Sequence, residues 1–302
     1  MGDRVTSAQT RPGVCLGIAN IRIGIASGDM DLTVRLGEDM QAFSVESTNP
    51  DLSLEAHWLD PEDAGNAGRR LFDSGGVWQL YFKDNSYRFH CHAPAFGKIP
   101  YKVACISRDF SLGRVFMHRP FFVAQPEIYP LQYPLDELLV LHLLSRGLGV
   151  EVHACGVADA GRGYLFVGHS GSGKTTMAKL WEKEFGVAIL SDDRIILRQE
   201  EGKIWMYGTP WHGEANLASP SRVPLQHIFF IRHGQANSLI SKAGAEAAAL
   251  LFSSSFPVFY NPDALEFTID FYGRAANAVP CSELSVVPDR EVVDFIRRHS
   301  TN

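Results

Sequence analysis

Apolar positions recur at period two through the first part of the chain. Ile21-Arg22-Ile23-Gly24-Ile25 alternates, and Val77-Trp78-Gln79-Leu80-Tyr81-Phe82 is rich in aromatic residues; turn residues bound both runs. Such runs read as strands. Tyr87 to His92 and Tyr101 to Ile106 continue the meander, which predicts an antiparallel β-rich N-terminal region over residues 1–130. Asn49 to Gly68, acidic and studded with Pro, Gly and Asn, reads as an exposed loop.

The period then changes. Pro134 to Leu144, closed by Arg146-Gly147, carries Pro near its start and Gly past its end, as helices prefer. It opens a second region, residues 131–302, with an α/β pattern. Val150 to Ala154 is a strand, Ala158 to Gly163 a hairpin-like turn, Tyr164 to Val167 a strand, Thr176 to Lys183 a helix and Val187 to Leu190 a strand. Arg194 to Arg198 and Lys203 to Tyr207 pair as a hairpin; Leu225 to Ile231 is a buried strand, while Ala243 to Phe252 and Glu291 to Arg298 are helices. The aromatic segment Phe116 to Tyr129 reads as packing at the junction of the two regions.

Composition narrows the function classes. With 45% hydrophobic and 21% charged residues the chain can bury a large core. A net charge of −6 and the lack of any basic run argue against a nucleic-acid surface. The five cysteines are scattered without C-x-x-C spacing, so neither zinc nor a disulfide framework is expected, and a reducing cytoplasm is the natural compartment. Apolar runs such as Leu135 to Leu144 are too short to span a bilayer, and the polar opening Met1 to Arg11 has no signal-peptide core.

Candidate chemistry concentrates after the strand at Tyr164. Gly168-His169-Ser170-Gly171-Ser172-Gly173-Lys174-Thr175 matches G-x-x-x-x-G-K-[ST], between a strand and a helix start as that motif requires. Its glycines let backbone N–H groups curl around phosphate oxygens at the positive end of a helix. The cofactor-binding set is therefore Gly168, Ser170, Gly171, Ser172, Gly173, Lys174, Thr175 and Thr176. Lys174 reaches the β/γ-phosphates and the Thr175 hydroxyl ligates Mg²⁺, so ATP and Mg²⁺ are the expected cofactors.

Asp192 and Asp193 end the next strand, which should neighbour the phosphate-loop strand because only one helix and a turn separate them. One carboxylate can hold the metal and the other can accept a proton from an attacking hydroxyl; an exposed acidic turn or a helix N-cap pair is the other reading. His153, on a strand expected to flank the loop, can orient or protonate a phosphate or simply be a structural histidine. In Gly208 to Glu214, Trp211 could wall an acceptor pocket and Glu214 could complete the Mg²⁺ shell, against the reading of an ordinary turn with a packed tryptophan. Arg194, Arg222 and Arg232 are candidates to neutralise a transferring phosphoryl group. His90-Cys91-His92 has the look of a metal pair, but alternation puts Cys91 opposite the histidines, which favours structural strand residues.

Three of these blocks together, His153-Ala154-Cys155-Gly156-Val157, Gly168 to Thr175 and Ser191-Asp192-Asp193-Arg194, resemble the HPr kinase/phosphorylase family, whose P-loop core is similar to that of ATP-dependent phosphoenolpyruvate carboxykinase. The resemblance covers roughly residues 133–232. It implies a P-loop kinase fold in which the family's histidine, phosphate-loop lysine and paired aspartates fall on His153, Lys174, Asp192 and Asp193, with Asp192 associated with the metal and Asp193 with proton transfer. It implies an ATP-dependent kinase phosphorylating a serine-type hydroxyl in a protein, peptide or small molecule, or a phosphorylase running the reverse reaction. The family's downstream block that engages its protein substrate is absent, and Tyr207 to Glu214 stands in its place, as in a diverged subgroup. The acceptor is therefore open, as is a homo-oligomer. A nucleotide-responsive binding protein without kinase activity is the alternative.

Overall fold

The computed structural model describes residues 13–59, 67–122 and 128–300. It divides into two compact units, residues 1–136 and 137–302. The opening segment 1–11, part of the 49–68 segment and the middle of the 116–129 segment lie outside the described residues.

The first unit contains one eight-stranded sheet. Its strands are β1 (Val14–Ile18), β2 (Ile21–Ser27), β3 (Leu52–Trp58), β4 (Arg69–Asp73), β5 (Trp78–Lys83), β6 (Ser86–Cys91), β7 (Lys102–Ser107) and β8 (Leu112–Met117), followed by the single-turn helix α1 (Arg119–Phe122). The spatial order is β1-β2-β3-β8-β7-β6-β5-β4. Two-residue turns with left-handed backbone at Ala19-Asn20 and Asp84-Asn85 close the β1–β2 and β5–β6 hairpins, the geometry that matches strand twist. Two expectations need correction. The sheet is mixed, because β3 runs parallel to both β2 and β8. The stretch read as a loop contains β3, whose Leu52, Leu54 and Ala56 are buried at period two; the turn residues on either side hid a short strand.

The second unit begins in α2 (Leu135–Leu144) and continues through β9 (Val150–Asp159), β10 (Arg162–Val167), α3 (Lys174–Glu182), β11 (Val187–Ser191), β12 (Arg194–Glu200), β13 (Lys203–Gly208), β14 (Arg222–His233), β15 (Ser238–Lys242), α4 (Gly244–Ser253), α5 (Pro262–Ala278), β16 (Cys281–Val286) and α6 (Glu291–His299). Its sheet is also mixed: β10 lies antiparallel to β9 and parallel to β14. Pairing runs β10-β9-β12-β13-β14 and returns from β14 to β10, a closed circuit, with β16 and β15 beyond β14 and β11 on β9.

Alternation along β10 builds the core on both sides. Leu165 and Val167 face a cluster with Leu251 of α4 and Phe271, Tyr272 and Ala275 of α5. Tyr164 and Phe166 face Met177 and Trp181 of α3 and Val292 and Ile296 of α6. The sheet is thus covered by helices on both faces. Burying one Leu, Phe or Met side chain contributes about 1.5–3 kcal/mol, which fixes β10 and α3 and hence the loop between them. No described helix is long and apolar enough to cross a membrane.

Candidate functional site

The loop between β10 and α3 is built by its glycines. Gly171 and Gly173 adopt φ of +80° and +105°, conformations that side chains disfavour. Gly173 precedes the first turn of α3, which has no side-chain cap, so its amide donors are left for a ligand or water. The Ser172 hydroxyl is buried in the loop without a hydrogen-bond partner. Lys174 is buried and its Nζ donates to the carbonyls of Gly168 and His169 at 2.7 and 3.1 Å. Burial pulls its pKa down, opposed by the charges of Asp193, Cys155 and Asp192. Thr175 is half-buried; Ser170 and Thr176 are exposed.

One residue at this loop went unseen in the sequence. His233, at the end of β14, donates from Nε2 to the Gly171 carbonyl at 2.9 Å. β14 is the parallel neighbour of β10, so both strands deliver their carboxyl ends to the same place. Only that pairing brings His233 there.

The Asp192-Asp193 strand does not neighbour the loop strand. β11 pairs with β9, which intervenes between it and β10. Lys174 nonetheless interacts electrostatically with Asp193 and Asp192, so the loop and the acidic pair share one neighbourhood. The two carboxylates part at the strand end. Asp192 is 1% exposed; its Oδ1 accepts from the amide of Gly213 at 2.9 Å and its Oδ2 from that of Ala215 at 3.0 Å. It clamps the 213–215 loop. A Cβ on Gly213 would stand 2.8 Å from Asp192 Oδ2, so glycine there lets the loop approach.

Asp193 turns the other way. Its Oδ1 lies 3.1 Å from His153 Nδ1, and its Oδ2 accepts a short bond from Arg194. The same Nδ1 lies 3.2 Å from the Asp193 carbonyl and 3.0 Å from the Arg194 guanidinium, so it stands between two acceptors and one donor. The strands enforce this meeting: His153 is the direct cross-strand partner of Arg194 in the β9–β12 ladder. Burial pushes the Asp193 pKa up, but the His153 bond and the charges of Arg194, His153 and Lys174 outweigh it and hold the carboxyl below its ordinary range.

Arg194 is held through Nε and Nη1 by protein groups, which ties its guanidinium to carboxylates in place of a phosphate. Nε bonds Glu137 at 3.0 Å, Glu151 lies 3.5 Å away, and the guanidinium sits 4.2 Å from the Phe256 ring centre. Arg222 is at the opposite end of β14 from the glycine loop, paired with Glu200 and Tyr207 over the Trp205 ring. Arg232 pairs with Glu283. Of the three arginines, therefore, only Arg194 joins the acidic pair.

The 208–219 segment is laced to the end of β11. The Ser191 hydroxyl donates to the Trp211 carbonyl and accepts the amides of Asp193 and Arg194, while Thr209 Oγ1 donates to the Arg194 carbonyl. Trp211 is buried and its indole Nε1 lacks a hydrogen-bond partner, in keeping with the packed tryptophan of an ordinary turn. Glu214 is exposed. Among the described residues no group of three or more His, Cys, Asp or Glu could hold a metal. Mg²⁺ characteristically keeps several waters and uses few protein ligands. Thr175 and Asp192 offer the hydroxyl and carboxylate that such a light hold uses, although both Asp192 oxygens already accept amides; Glu214 belongs to no cluster. In the first unit, His90 is buried, and burial followed by the charges of His92 and Arg88 lowers its pKa to about 4.

No family model and no curated protein matches the chain. Among solved structures, one described as the Hpr(Ser) kinase/phosphatase from Coxiella burnetii matches with a TM-score of 0.30 and 12% identity, covering 49% of this chain and 91% of that chain. A likeness so faint carries no argument, and the site stands on its own geometry.

Proposed function

We propose that the second unit is an ATP- and Mg²⁺-dependent phosphotransferase acting on a hydroxyl-bearing acceptor. The observation that carries this reading is the convergence of three things: a glycine loop with an uncapped helix start, a buried Lys174 within it, and the Asp193–His153 pair within electrostatic reach of that lysine. The loop amides, the orphaned Ser172 hydroxyl and Lys174 suit a triphosphate. Thr175 and Asp192 would hold Mg²⁺, which when bound neutralises charge on the phosphates. The remaining work is positioning and proton transfer. Asp193 is held more acidic than usual and both its oxygens are engaged, so it is a weak base; with the His153 proton on Nδ1, toward Asp193, Nε2 would take the acceptor proton. This shifts the base role expected of Asp193 to the pair. The acceptor, in a protein, peptide or small molecule, is unassigned.

The test is transfer from γ-labelled ATP with Mg²⁺ to components of a source-cell lysate by the full chain and by its Lys174→Ala variant. Labelled products that vanish with the variant support the reading. Equal labelling by both would refute the site. A second reading, nucleotide-responsive binding without transfer, draws on the same double engagement of Asp193; tight Mg·ATP binding without any labelled product would select it. Release of pyrophosphate from a phosphorylated acceptor and phosphate would show the reverse direction.

A further inference from the structure

Behind Asp193 lies a group of buried charges that nucleotide binding does not require. Arg194 of β12 faces three carboxyls: Glu137 of α2, Glu151 of β9 and Asp193 at the β11–β12 turn. The Glu151 side chain is wholly buried and neither of its oxygens has a hydrogen bond of good geometry. It borders a small recess lined by Leu141, Leu144, Val150, Phe256 and Val258. Phe256 covers the guanidinium and meets the His153 ring edge-on at 6.3 Å. The other titratable group facing Glu151 is Tyr272 of α5, whose hydroxyl donates to the Glu151 carbonyl.

Three ionised carboxylates around one guanidinium would leave one negative charge uncompensated in a largely buried place even with Lys174, which acts on Asp193, counted, a costly arrangement. Burial first, then the neighbouring Glu137, pushes the Glu151 carboxyl well above its ordinary range, and Arg194 pulls back only part of the way. Like charges in close quarters commonly share one proton in this manner. We propose that Glu137 and Glu151 form a carboxyl pair holding a single negative charge, which pins Arg194 at Nε so that its other end fixes Asp193 Oδ2 and leaves Oδ1 facing His153. Glu137 is then a positioning residue for phosphoryl transfer, acting through Arg194 without touching substrate, while Glu151 serves as the neutral member of the pair. This rests on the phosphotransferase reading, but the carboxyl pair itself does not depend on it.

Two variants in the full chain test it. Glu151→Gln reproduces the shape of a neutral acid, so transfer should keep kcat within about twofold. Glu137→Gln removes the anion on Arg194 Nε; kcat should fall by up to about 10²-fold, as small misplacements of reacting groups do, with the KM for ATP little changed. A stability readout is independent of turnover. A carboxyl protonated in the folded state and ionised in the unfolded state makes stability fall as pH rises above the unfolded value of about 4.3. Glu151→Gln abolishes that loss, so its melting temperature relative to the parent should climb from pH 5 to pH 8. A flat difference across that range, or a Glu151→Gln enzyme as slow as Glu137→Gln, overturns the proposal. A parent chain that transfers nothing refutes the phosphotransferase reading alone, with the melting series still deciding the pair.

Discussion

Replacing Asp192 by Ala should destabilise the protein in the complete absence of metal. The carboxylate is buried and accepts the Gly213 and Ala215 amides. Hydrogen bonds to a charged group contribute about 1.5–3 kcal/mol each, so the pair is worth roughly 3–6 kcal/mol. Gly213 and Ala215 are only half-buried, and water entering the gap would re-satisfy part of this, which places the expected loss near the lower bound, about 3 kcal/mol. Asp192→Asn keeps one acceptor and turns an NH₂ toward the other amide, so its loss should be of similar size. The assay is a urea titration in EDTA, with hydrogen exchange at residues 213–217 as the local readout; faster exchange should accompany the lower midpoint. A loss under about 1 kcal/mol without faster exchange, coupled to a pure defect in Mg²⁺ binding, would refute the clamp and return Asp192 to the metal alone.

Arg222→Ala should leave Mg·ATP affinity within about twofold, since the residue sits at the far end of β14, and its exposed pair with Glu200 should contribute at most about 1 kcal/mol; a large drop in nucleotide affinity would contradict that placement. Trp211→Ala should act on stability, by about 3–5 kcal/mol as for other buried aromatics, with acceptor KM unmoved in the folded fraction; a stable variant with raised acceptor KM would restore the pocket-wall role. Asp193, more acidic folded than unfolded, contributes stability that is present above about pH 4 and lost as pH falls through its folded pKa. The melting gap between the parent and Asp193→Asn should therefore close on acidification, and a gap that widens would mean the carboxyl gains nothing from His153 and Arg194.

What the sequence disclosed was local and contiguous. The β10–loop–α3 unit reads directly because strand, glycines and helix start follow one another within one stretch, and the hairpin turns at Ala160-Gly161 and Glu201-Gly202 advertise themselves by their glycines, which take left-handed backbone freely. The placement of β11 failed because proximity in sequence implied adjacency in the sheet, whereas β9 returns antiparallel between the two strands. Asp192 was legible as a candidate but its partners were not, since they are backbone amides whose identity no side chain signals. Glu137, Glu151 and His233 carry no motif at all. Their roles arise where α2, β9, β12 and β14 converge, and only the ladder registers locate that convergence. The 17-residue helix α5, one wall of the core, was missed in a stretch where polar and apolar positions mix.

The closed circuit of strands has a bearing on which length changes the chain tolerates. β9 holds three ladders at once, to β10, β11 and β12. A single inserted residue there would slip all three registers and turn every following side chain to the opposite face, carrying His153 away from Asp193 or Val157 out of the core. Because the circuit returns through β13 and β14 to β10, a slip in β9 is passed on to paired strands around the circuit. Insertions should instead survive at the Glu201-Gly202 turn, where the added residues project beyond the ladder. Length changes are thus expected to be tolerated at the hairpin ends and not in the strand that aligns the site.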